Sequence, residues 1–66
     1  MIVTINGKKE KVPAGSTVAG FLRARNLDFD AVVVELCGAI ISKEKFERTT
    51  LEDRDILEVV GFVGGG

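Results

Sequence analysis

Three glycines close the sequence, Gly64-Gly65-Gly66, and they present the α-carboxyl group of Gly66 on a run without side chains. Residues lacking a Cβ can enter a cleft too narrow for others, and the four residues from Val63 span about 13 Å when extended. An α-carboxyl group titrates near pH ~3.5, so at neutral pH it is a carboxylate and a poor electrophile. Adenylation by ATP would replace its poor leaving oxygen with AMP, and a sulfur nucleophile attacking the acyl carbon would then give a thiocarboxylate. Sulfur held on a protein end is delivered in a docked, effectively intramolecular event. On the entropy of a glycine run alone, a disordered end or a linker fits as well.

The rest of the chain offers little other chemistry. There is no His, and Cys37 is the one cysteine, so an internal disulfide, a Cys/His zinc site and a Ser-His or Cys-His pair are all excluded. A lone cysteine on an apolar stretch reads as an inert small hydrophobe ahead of a redox or relay thiol. With no cluster of acid, base and nucleophile, the chain reads as a substrate of enzymes and not as an enzyme, with no metal and no bound cofactor. Nine Lys and Arg against ten Asp and Glu leave a net charge of −1, which speaks against nucleic acid as a partner. No stretch approaches the length of a membrane span, and Met1-Ile2-Val3-Thr4 alternates like a strand and unlike a signal peptide, so the expected location is the cytoplasm.

The elements that must position the tail follow from patterning. The chain has 66 residues, 45% hydrophobic and 29% charged, enough for one domain with a thin core. Ile2 to Ile5 is β-branched, and Asn6-Gly7 supplies the positive-φ pair of a type I′ hairpin, returning as a strand over 8–12. Pro13-Ala14-Gly15 ends that strand. Ser16 or Thr17 caps a helix over 17–25 whose Val18, Phe21 and Leu22 share one face, with Asn26 as a left-handed stop. Residues 31–36 and 39–41 read as two strands joined by Cys37-Gly38. The polar stretch 42–50 reads as solvated surface pinned by Phe46 and Leu51, and 56–60 as a last strand apolar enough to be central. Together these give an α+β roll, a mixed sheet of four to five strands with one main helix packed on one face. Residues 1–63 form the domain and 64–66 a flexible tail.

In this order and at this length, several segments resemble the ThiS-type sulfur carriers of thiamin biosynthesis, within the wider ubiquitin-related group. They are Ile2-Val3-Thr4-Ile5-Asn6-Gly7, Val12-Pro13-Ala14-Gly15-Ser16-Thr17-Val18, Val33-Val34-Glu35-Leu36, Thr50-Leu51-Glu52-Asp53 and Glu58-Val59-Val60-Gly61-Phe62-Val63-Gly64-Gly65-Gly66. The resemblance implies a β-grasp fold and adenylation and thiocarboxylation of Gly66 by a ThiF- or MoeB-like enzyme that uses ATP. It further implies a sulfur donor such as a cysteine desulfurase, and delivery to a ThiG-like thiazole synthase. Gly64 and Gly65 would thread the approach to the partner's active site, and Val60 and Phe62 are candidates for the docking surface. The same residues also admit plain packing. Two positions depart from the family pattern: Cys37 stands where Asn is common, and Arg54 where Gly is common, which puts the turn before Asp55 in question because a side chain disfavours positive φ. The small subunit of molybdopterin synthase and a ubiquitin-like modifier share the tail chemistry, whereas a non-covalent β-grasp binding module would need no free glycine end.

Overall fold

The computed structural model describes residues 1–61. Strand β1 (Ile2–Ile5) returns through Asn6-Gly7 to pair antiparallel with β2 (Lys8–Lys11). Both turn residues have positive φ, 48° and 84°, which matches the twist of the flanking strands.

Helix α1 (Val18–Ala24) begins where Thr17, the second of the two expected caps, accepts the Gly20 N–H on its hydroxyl at 3.0 Å. It stops at Asn26, whose φ of 57° lets Asn26 N–H return to the Arg23 carbonyl and Leu27 N–H to the Leu22 carbonyl. Val18, Ala19, Phe21 and Leu22 are its buried face. Arg25 at its end pairs with Glu10 of β2 and lies over the Phe21 ring, 4.8 Å from the centroid.

A short 3-10 turn over Phe29–Ala31 leads into β3 (Val32–Leu36), so this strand starts one residue later than its apolar run suggests. Asp28 takes the Asp30 N–H on its carboxylate and diverts the chain first. Strand β4 (Ala39–Ile41) pairs antiparallel with β3 across Cys37-Gly38. The polar stretch that follows contains a second 3-10 turn, Lys43–Arg48, in which Phe46 is 2% exposed and meets Phe29 edge to face at 5.3 Å. Leu51 is equally buried, so the pinning holds, and the charged residues of the turn are exposed as a solvated surface.

The last strand, β5 (Ile56–Gly61), lies at the centre of a five-stranded sheet of order β2-β1-β5-β3-β4. It runs parallel to β1 and antiparallel to β3. The helix covers one face of the sheet, and Val3, Ile5, Val34 and Leu57 meet Val18, Ala19, Phe21 and Leu22 there. A curled mixed sheet holding one helix against one face is the β-grasp roll.

Candidate functional site

Side chains alternate along β5, and the register decides which go to which face. Leu57 is fully buried under the helix and Val59 half-buried beside it, whereas Ile56, Glu58 and Val60 point to the uncovered face. Val60 is 57% exposed, so it is not a core residue. Pairing extends this surface sideways: Val33 of β3 lies opposite Val60, Glu35 opposite Glu58, and Ile40 of β4 opposite Glu35. Four of the five large exposed hydrophobic residues among those described, Ile2, Ile40, Ile56 and Val60, share this face. An apolar patch interrupted by two facing carboxylates is poor packing for a free surface and good material for an interface.

The two ends of β5 are built differently. At its start, Cys37 N–H donates to the Ile56 carbonyl at 2.7 Å and Arg54 N–H to the Ile2 carbonyl at 2.6 Å. Arg54 holds a φ of 72°, so the turn keeps the left-handed geometry that its side chain disfavours, and the doubt attached to this residue is removed. Asp55 braces the same turn, accepting Glu52 N–H at 2.8 Å and the Cys37 thiol at 3.5 Å. At its other end β5 runs out along β3 as far as Val32 opposite Gly61. The tail is continuous with that end.

Cys37 adjoins the start of β5, five residue steps from Gly61, about 16 Å at strand rise. A hollow lined by Ile2, Thr4, Lys9, Lys11, Arg54 and Ile56 also lies at that far end. Beside Gly61 is a smaller depression of mixed character, in which Asn6 and Arg25 stand among Ile5, Phe21, Leu27 and Val59.

Of the residues singled out from sequence, Val60 lies exposed on the open face. Phe62, Gly64, Gly65 and Gly66 lie outside the described residues. Sequence reading missed Asn6 as more than a turn residue. Its side chain bonds the backbone of Val59, donating to the carbonyl at 3.1 Å and accepting the N–H at 2.8 Å. Nothing in the Asn-Gly pair signals that contact, which spans 53 positions in the chain.

Among the described residues no group of His, Cys, Asp and Glu could hold a metal ion, and no helix is long and apolar enough to cross a membrane. A five-stranded mixed sheet with one helix on one face and an open, partly apolar face on the other defines a small β-grasp protein. The chain belongs to the ThiS family, whose model matches residues 2–66. It is 40% identical to the sulfur carrier protein ThiS of Bacillus subtilis, with 98% of this chain and all of that protein aligned. A thiamine biosynthesis protein (ThiS) from Geobacter metallireducens has the same fold, with a TM-score of 0.85 and 36% identity over the whole of both chains. A thiazole synthase of Magnetococcus marinus is 33% identical over 66 residues, which take in all of this chain and 20% of that protein.

Proposed function

We propose that this chain is a sulfur carrier of thiamin biosynthesis whose reactive group is the carboxylate of Gly66. It is a substrate that enzymes load and unload, and it performs no catalysis itself. The observation that carries this reading is the family match over residues 2–66, which takes in the domain and the three glycines together.

A ThiF- or MoeB-like enzyme adenylates the carboxylate with ATP, supplying the leaving group that a bare carboxylate lacks. The terminal sulfur of a persulfide on a donor such as a cysteine desulfurase then displaces AMP to give an acyl disulfide. A thiol reductant cleaves its S–S bond and is oxidised to a disulfide, and the thiocarboxylate so released carries the sulfur to a ThiG-like thiazole synthase. The Magnetococcus thiazole synthase, which contains a segment similar to this whole chain, supports that last partnership. ATP is used by the activating enzyme, and the carrier binds no cofactor of its own. Gly64 and Gly65 thread the partner's cleft because they present no Cβ, and Val60 with Phe62 docks the domain beside it. Residues 1–63 act as the handle and 64–66 as the tail, in the cytoplasm where these enzymes work. Family membership favours thiazole formation over molybdopterin synthesis, protein conjugation and a non-covalent binding module.

Intact-mass measurement after incubation with a ThiF-like enzyme, ATP and a sulfur donor tests the loading step. The expected result is a gain equal to one oxygen replaced by sulfur, absent from a variant lacking Gly66. No gain with an enzyme that loads another carrier in the same mixture would refute it.

A further inference from the structure

Strand β5 is flanked on both sides only in its first part. Strand β3 accompanies it from Leu57, opposite Leu36, to Gly61, opposite Val32. On the other flank β1 pairs Thr4 with Ile56 and Ile5 with Leu57, then turns away at Asn6-Gly7. The N–H and carbonyl of Val59 face the side that β1 has left, two residues before Gly61. Unpaired, they would be an open sheet edge at the point where the strand hands over to the tail.

Asn6 closes that edge. Thr4 N–H donates to the Asp55 carbonyl and Asn6 N–H to the Leu57 carbonyl, each at 2.9 Å. The next rung would fall on a residue that β1 no longer has. The Asn6 amide takes its place, accepting Val59 N–H at 2.8 Å and donating to the Val59 carbonyl at 3.1 Å. Since one partner donates and the other accepts, Val59 also dictates which way the amide is turned. The hairpin itself does not need this side chain, because a type I′ turn asks only for positive φ and Gly meets that as well as Asn.

We propose that Asn6 is a positioning residue, a side-chain extension of β1 by one rung that sets the direction in which β5 presents its tail to the enzyme loading it. The proposal rests on the carrier reading above. Misplacing reacting groups by about 1 Å can cost about 100-fold in rate. A strand still held by β3 should lose less, about tenfold.

Asn6→Gly separates the two duties of the residue, keeping the turn and removing both bonds to Val59. In the free chain, amide hydrogen exchange at Val59 should quicken at least tenfold while the buried Leu22 amide is unchanged. In the loading reaction kcat should fall about tenfold with KM within twofold, because the docking face is untouched. Thr17→Ala, which removes the helix cap far from β5, should leave both constants unchanged and so controls for lost stability. Unchanged exchange at Val59, or faster exchange with kcat within twofold of the unaltered chain, would overturn the proposal. Failure of the unaltered chain to be loaded, in a mixture that loads another carrier, would sink the carrier reading and with it the purpose assigned to Asn6.

Discussion

Two hairpin turns flank the first half of β5 on opposite sides with nearly the same backbone: φ is 48° and 84° at Asn6-Gly7, and 50° and 87° at Cys37-Gly38. Their surroundings differ. Cys37 belongs to the end that is tied down, where backbone bonds from Cys37 and Arg54, the Asp55 carboxylate and the Asp53 contact to Ile2 N–H at 2.8 Å all converge. Asn6 reaches from Leu57 on to Val59, toward the second half of the strand, where β3 supplies one flank and a single side chain the other. A crowded end can impose left-handed backbone on residues poorly suited to it, such as Cys37 and Arg54. A sparsely held end depends on which side chain occupies the turn.

The contrast breaks most easily at the core. Leu57→Ala, at a fully buried position beneath the helix, should lower unfolding free energy by about 2–5 kcal/mol in a denaturant titration. A loss below 1 kcal/mol would mean that β5 is not the strand on which the fold is built. Asp55→Ala comes next, removing the acceptor of Glu52 N–H and the Cys37 thiol, with an expected loss of about 1–2 kcal/mol. Thermal melts that place it level with an exposed surface change would show that the start of β5 is not specially braced.

Val60→Asp moves the question to the other end and the open face. Stability should change by no more than about 0.5 kcal/mol, while affinity for the activating enzyme, read by titration calorimetry, falls at least tenfold. Equal binding would take the open face out of the docking surface. The smallest effect is a gain. Cys37→Asn places at φ 50° a residue that tolerates it, and chemical denaturation should show about 1 kcal/mol of added stability with loading unaffected. A decrease would mean that the thiol contact with Asp55 outweighs backbone strain.

Much of this architecture is legible in the residues. Asn6-Gly7, the Thr17 cap, the Asn26 stop and the apolar spacing of α1 are local devices, and each forms the element its chemistry favours. The central place of β5 follows from apolar residues on both of its faces. Which face meets the helix does not follow, because a shift of one residue exchanges Ile56 for Leu57, and only pairing with β1 and β3 decides it. The two 3-10 turns are hidden for a related reason: Phe29–Ala31 is too short to show a period and Lys43–Arg48 is polar apart from Phe46, which packs edge to face on Phe29 from far along the chain. At the candidate site, the exposure of Val60 does not follow from its apolar strand, for the same reason of register. Nor does the Asn6 clamp follow, since it joins residues far apart in the chain and its residue type is already accounted for by the turn.

The central claim is that this domain carries sulfur to thiazole formation on its glycine end. The most direct measurement is to load the chain with isotopically labelled sulfur, purify it, and give it to a thiazole synthase with the remaining substrates and no other sulfur source. The account predicts label in the thiazole product in proportion to carrier consumed, with the carrier returned at its unloaded mass. A loaded chain that keeps its label, while another sulfur carrier supports the same synthase, would contradict it.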